Sequence, residues 1–503
     1  MKAKQLLSLL LALLTVMMMF VSCGGDKNTE TNDPSKETTG PSTSGEEGKV
    51  TDDLGDVNFS DVENPTVTFF VRNESDFPYE VYVEEPIGDD LQDSIYWRNQ
   101  TIKERLGVEI DQIVQACGWA NYPTWNETLR NAIQNRTHDY DAAMIYTGAS
   151  SSLAIDGCFM DLTDLDPINL SKPYWNQNLL KEATIYNSLY FASGSINHTQ
   201  LSWANVIWYN KDLYNEFFAT SDKKDIYDVV RDGEWTIDYM YELTSAVFVD
   251  NDSNGEKSSG DTVGLSGGAN MDAGSMDAWI YALGCDLTKM NASTGEPEAC
   301  FYNEHTVKAF EKLVNLYSNN DGSYCTLAKG GTTGDTKFEN GNVLMTLGRF
   351  ATGTTYRDSN IIFGVLPVPK YEAEQESYRS VPEAASSMVT VLSTVEDNRL
   401  QMVASTIELM AAESYKTVIP TYTDVVLKSK QANAPDDAEM VQTIIDSMVY
   451  SFGWIFSSTR MNDVGKAFRT VDGSRDLSSY YGQRGGVYEQ NISDLIDGFA
   501  AIA

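Results

Sequence analysis

From Pro65 the chain alternates polar and apolar residues and then runs apolar, in Thr66-Val67-Thr68-Phe69-Phe70-Val71, which predicts a first strand. Asp90 to Leu106 places Leu91, Ile95, Ile102 and Leu106 on one helical stripe, and Gly107 follows as a C-terminal cap. Val108-Glu109-Ile110 predicts a short second strand. Trp125, Leu129 and Ile133 predict a second helix after the break at Pro123. A third strand, Ala142-Ala143-Met144-Ile145-Tyr146, closes on Thr147-Gly148. This βαβαβ alternation predicts a parallel sheet with helices on both faces.

The stretch from Ser188 to Phe218 then reads as a strand (Leu189-Tyr190-Phe191), a polar break, a second strand (Val206-Ile207-Trp208-Tyr209) and a helix. Four consecutive apolar or aromatic residues between turn formers suit a strand covered on both faces. After it the pattern restarts. Helices are predicted over 235–247 and 276–283, and Asn303 caps another whose stripe is Val307, Phe310, Val314 and Tyr317. Strands are predicted at 343–348, 361–367 and 387–393. A helix aligning Leu400, Val403, Ile407 and Met410 follows, and then a helical tail broken at Pro420 and near Gly473 and Gly482. No internal repeat is visible.

The N-terminus differs from all of this. Lys2 and Lys4 precede an apolar run from Leu6 to Val21 that ends in Val21-Ser22-Cys23-Gly24. That is a signal-peptide pattern, too short for an ordinary membrane span. The cysteine at its end resembles a bacterial lipoprotein signal, which implies cleavage after residue 22 and lipidation of Cys23, although Phe20 stands where such signals prefer leucine. Residues 24–49 hold no large apolar side chain and predict a flexible tether with a reach of roughly 30 Å.

Length, charge and cysteine usage narrow the picture further. A chain of 503 residues favours more than one α/β unit. Its formal charge of −37 argues against nucleic-acid binding, which needs clustered Lys and Arg. Beyond Cys23 the cysteines are Cys117, Cys158, Cys285, Cys300 and Cys325, with no CxxC pair to suggest structural zinc. After export, Cys285 has the option of pairing with Cys300 or Cys325.

The order of YDAAMIYTG, NVIWYNKDL, VLMTLG, FGVLPVPKY and SSMVTVLSTVED resembles the extracellular solute-binding lipoproteins of ABC importers, the family 1 branch that includes maltose-binding protein. The matching segments spread over most of residues 65–460. The resemblance implies an α/β, two-lobed periplasmic-binding-protein-like fold of type II, with a ligand cleft between the lobes. It implies boundaries of 1–22 for the signal and 23–64 for lipid and tether. The N-terminal lobe would hold 65–188 plus 386–425, and the C-terminal lobe 189–380 plus 426–503. It also implies a monomeric, non-enzymatic binder of a sugar or oligosaccharide, anchored on the outer face of the cell membrane, that closes by hinge motion and serves permease subunits. No cofactor is required. The alternative is a surface glycan-binding or glycoside-hydrolysing lipoprotein, and a peptide ligand would keep the fold.

Ligands of such sheets sit beyond the carboxyl ends of the strands, which points to Tyr146, Thr147, Gly148 and Ala149. Sugars want flat aromatic faces with polar groups beside them, and the candidates are Tyr146, Trp175, Trp203, Trp279, Arg349 and Glu383, with Phe350 next to Arg349. Trp203 leads because Ser202 and Asn205 flank it, whereas Trp208 reads as core. Separately, residues 250–261 fit a calcium loop: Asp250, Asp252 and Asn254 at positions 1, 3 and 5, Gly255 at the turn, Glu256 offering its carbonyl, and Asp261 in the last position, where Glu is usual. An Asx-turn loop that binds nothing fits the same residues. Catalysis finds little support. The three histidines, His138, His198 and His305, lack metal-ligand spacing. The GxSxG match at 264–268 has only His305 downstream.

Overall fold

A computed structural model describes residues 51–502, apart from 75–76, 259, 268–273, 326–337, 428–434 and 460. The signal, Cys23 and the tether to residue 49 lie outside the described residues.

In chain order the strands are β1 (Thr66–Arg72), β2 (Glu109–Gln115), β3 (Ala142–Tyr146), β4 (Asn205–Asn210), β5 (Phe248–Val249), β6 (Thr262–Ser266), β7 (Thr288–Met290), β8 (Pro297–Ala299), β9 (Ser323–Tyr324), β10 (Val343–Arg349), β11 (Phe363–Leu366) and β12 (Ser387–Val391). They form two mixed sheets and one hairpin. The first sheet runs β12-β3-β1-β2, with β1 parallel to β2 and β3, and β12 antiparallel to β3. The second runs β11-β4-β10-β6-β5, with β9 also on β6. In each sheet a continuous apolar run supplies a central strand: every residue of β3 and of β4 is buried. Helices lie against both sheets, and the apolar side chains beneath them form one continuous core.

Capping residues set the helix ends. Asp89 accepts from the Gln92 N–H at 2.9 Å to open the helix Asp90–Leu106, and Gly107, at φ +70°, closes it. Asn303 does the same for Glu304–Ser318, accepting from the Thr306 N–H at 3.0 Å.

Four expectations need correction. Ordered packing begins before Pro65: Leu54 and Phe59 are buried, and the Asp52 carboxylate takes two hydrogen bonds of 2.6 Å from Arg105. Two apolar anchors and an ion pair suffice to dock a polar stretch. Secondly, Leu189-Tyr190-Phe191 is no strand. Its side chains are buried, but its backbone meets the first sheet only through side-chain bonds and one bridge, Ala192 with Val389. The passage towards the second sheet therefore starts after Ala192, not at Ser188. Thirdly, Gly482 does not break the tail. The helix Leu477–Ala500 runs through it for 24 residues, because one glycine costs a helix only about 1 kcal/mol. Finally, that helix is not confined to the second lobe. Tyr481 stacks on Tyr302 at 4.6 Å at one end, and Phe499 lies 5.9 Å from Tyr190, beside β12, at the other.

Two passages cross between the sheets side by side. Residues 193–204 lead into β4 and residues 380–386 lead into β12, and they bridge at Ala204 and Pro382. Both end where the strands of the two sheets end, which defines the site.

Candidate functional site

The first sheet presents the carboxyl ends of β1, β2 and β3, and the second that of β10. At the end of β3, the Thr147 N–H and hydroxyl both donate to the Ser386 carbonyl, at 3.1 and 2.8 Å. The Gly148 N–H donates to the Ala384 carbonyl at 2.8 Å. A Cβ at Gly148 would collide with Ser457 Oγ and Ala384 Cβ, so glycine is needed for this close approach. Thr147 and Gly148 thus use their polar groups to pin the crossover.

The crossover in turn carries the platform. Trp203 offers its carbonyl to the Glu383 N–H at 3.0 Å, and the Arg349 guanidinium lies over the Trp203 ring at 3.7 Å. Arg349 also holds Glu383 in a two-point ion pair, Nε to Oε1 at 2.7 Å and Nη2 to Oε2 at 2.8 Å. Arg349 remains 41% exposed while Glu383 is buried, so the pair presents one wet face. The Phe77 ring lies 5.4 Å from that of Trp203. Arg72, the last residue of β1, places its guanidinium 3.5 Å from the Phe77 centroid and 4.5 Å from that of Tyr146. The result is a stack, Tyr146, Arg72, Phe77, Trp203, Arg349, running from the first sheet across the crossover to the second.

Beyond it, Trp119 lies 5.2 Å from Tyr122 and 6.5 Å from Tyr146. Trp119 is 58% exposed, a large apolar face open to solvent beside a buried polar cluster. Burial pushes the Tyr146 phenol up to about 12, so it stays a neutral hydroxyl.

The structure therefore brings together Tyr146, Thr147, Gly148, Trp203, Arg349 and Glu383. It takes three predicted contacts elsewhere. Trp175 is buried and donates to Glu408 at 3.1 Å, an acid that Tyr174 also holds. Trp279 is fully buried and donates to the Tyr317 hydroxyl at 3.2 Å. Phe350 turns inward and stacks on Trp208, with centroids 6.1 Å apart. Each satisfies a core that a polar sequence neighbourhood concealed. Sequence reasoning missed Arg72, Phe77, Trp119 and Tyr122. Extending β2 to Gln115 would have brought Trp119 to a strand's carboxyl end.

Away from the cleft, Asp250, Asp252 and Asp261 bring carboxylate oxygens within 4.8 Å of one another. Gly255 takes φ +77° at the turn, and its N–H donates to Asp250 at 2.7 Å. Glu256 donates its N–H to the Asn254 side chain at 2.6 Å. Asp261 is buried and accepts from the Asn251 and Ser258 N–H groups. All five other cysteines are free thiols, and Cys285 and Cys300 donate to the Leu283 and Asp286 carbonyls instead of pairing.

No family model matches the chain, and no curated protein matches it in sequence. Solved structures do. An ABC substrate-binding protein of Listeria monocytogenes in complex with cycloalternan is similar over 86% of this chain and 100% of its own, at 15% identity and TM-score 0.53. A cyclic α-maltosyl-1,6-maltose binding protein of Arthrobacter globiformis covers 85% and 99%, at 14% identity and TM-score 0.56. A family 1 extracellular solute-binding protein of Bifidobacterium longum subsp. infantis covers 85% and 99%, at 14% identity and TM-score 0.52. The fold is that of the two-lobed ABC solute-binding proteins.

Proposed function

We propose that this protein is the extracytoplasmic binding component of an ABC importer, capturing a saccharide between its two sheets without chemical conversion. The observation that carries the reading is the aromatic and ionic stack centred on Trp203. It spans both sheets, beside the paired crossovers that would act as hinge. Flat ring faces suit sugar C–H surfaces, and the Arg349–Glu383 pair suits hydroxyls. Ligand bound to both lobes would favour the closed form, which docks on the permease. Cleavage at the signal and lipidation of Cys23 would hold the body at the outer face of the membrane.

A thermal-shift screen of the full chain against neutral and acidic oligosaccharides tests this, followed by prolonged incubation with each ligand that raises the melting temperature. The expected result is stabilisation with no product. Release of reducing sugar would overturn the binder reading in favour of a glycoside hydrolase.

The 250–261 loop is proposed as a structural calcium site remote from the cleft. Three converging carboxylates and a glycine turn support that reading. Calcium supplies charge compensation for this cluster and takes no part in ligand capture.

A further inference from the structure

Arg72 lies within the stack, and among the described residues its charge forms no ion pair. It is fully buried at the carboxyl end of β1. Nη2 donates to the Ala385 carbonyl at 2.7 Å, while Nε and Nη1 have no hydrogen-bond partner. Among the described residues Arg72 forms no ion pair, whereas Arg105, Arg130, Arg231, Arg379, Arg399 and Arg469 each hold a carboxylate.

The nearby charges sharpen the point. Glu80, also buried, is held by the Thr199 N–H and hydroxyl and by Ser387. Arg98, also buried, bonds to Asn99, Ser414 and the Val81 carbonyl. Glu80 and Glu74 act on Arg72 through space, and neither accepts a hydrogen bond from its Nε or Nη1. Burial pushes the Arg72 pKa down, which is the cost of leaving such a charge without a partner. With the Phe77 and Tyr146 rings against the guanidinium, the unpartnered Nε and Nη1 are the donors it has left to offer a ligand. An edge of N–H donors fits a singly charged, planar carboxylate.

We propose that the ligand is an acidic saccharide, a uronate-containing oligosaccharide whose carboxylate is received by Arg72. The inference rests on the sugar-binding reading and names the ligand class for that site. Conventional sugar contacts by Trp203 and Arg349 would flank the acid.

Isothermal titration of the full chain tests it. The probes are oligomers of galacturonate, glucuronate and mannuronate, their methyl esters, neutral oligosaccharides of equal length, and a sulfated gluco-oligosaccharide. A uronate oligomer is expected to bind, and its ester to bind about 10- to 150-fold more weakly, the range expected for losing a charge-assisted hydrogen bond. Arg72→Met should impose a similar loss on the uronate and little on the ester. The uronate-against-ester comparison uses the unaltered protein and stands even if that variant does not fold. A neutral oligosaccharide binding as tightly as its uronate, in wild type and Arg72→Met alike, would overturn the acid inference and leave the sugar site intact. Binding of the sulfated probe alone would overturn the carboxylate assignment. Binding of none would overturn the sugar reading and this inference with it.

Discussion

Trp203 and Trp208 are five residues apart and answer to different parts of the fold, so truncating each separates cleft from core. Trp208 is fully buried within β4. Its ring lies 5.4 Å from Phe363, 5.6 Å from Tyr356 and 6.1 Å from Phe350, and its Nε1–H donates to the Arg349 carbonyl at 3.1 Å. β10 and β11 both hydrogen-bond to β4, so the surroundings of a truncated side chain have little freedom to collapse. Trp208→Ala should therefore cost about 3–5 kcal/mol for the cavity, plus about 1 kcal/mol for the lost hydrogen bond. Set against a typical total of about 5–15 kcal/mol, that threatens the fold.

Trp203 is 7% exposed, buried mainly by Phe77 and Arg349. Trp203→Ala forfeits one aromatic pair and one cation–π contact, about 1 kcal/mol each, beside the half-exposed Arg349. A stability loss of about 2 kcal/mol is expected, with at least a tenfold loss of saccharide affinity. Urea unfolding followed by far-UV circular dichroism measures the first without relying on tryptophan emission. Titration with any saccharide that raises the wild-type melting temperature measures the second. Equal losses of stability in the two variants, with affinity unchanged in Trp203→Ala, would refute the placement of the cleft.

His198 is fully buried near Arg98, and burial first, then that charge, lowers its pKa to about 3. Neutral when folded but protonated in the unfolded chain below about 6.5, it makes stability fall as pH drops from about 6.5 towards 3; between pH 6.5 and 5 the loss is about 1.6 kcal/mol, and His198→Gln should flatten that part of the pH–stability curve. Asp437, buried, receives the Lys211 Nζ at 2.7 Å and the Tyr227 hydroxyl, tying the helix Pro435–Asp446 to the second sheet. Asp437→Ala strands both partners and should cost about 3–5 kcal/mol in urea unfolding, whereas Asp436→Ala, on the exposed ion pair to Arg231, should cost under about 1 kcal/mol. If the 250–261 loop holds calcium, EDTA should lower the unfolding free energy and calcium at one hundred times Kd restore it by about 2.7 kcal/mol, and Asp250→Ala should abolish the difference.

What could be read from the sequence follows from what burial does to residue choice. β3 and β4 were legible because a strand covered on both faces must be apolar throughout, and AAMIY and VIWY are. Leu189-Tyr190-Phe191 satisfies the same rule without a ladder, since burial selects for apolarity whether or not a neighbour strand is present. The aromatics divided on a matter composition does not encode. Trp175, Trp279 and Phe350 find their partners in Glu408, Tyr317 and Trp208, all distant in sequence, while Trp203 meets an arginine that a carboxylate holds in place. Arg72 was the hardest to see and carries the most information. A lone arginine at the end of Thr66-Val67-Thr68-Phe69-Phe70-Val71 looks like an ordinary exit from a strand. Read with the carboxyl-end rule, a charge closing a strand covered on both faces has nowhere to go but the cleft. Only the fold shows that, among the described residues, no acid forms an ion pair with Arg72, and the proposal of an acidic ligand rests on its unpartnered Nε and Nη1.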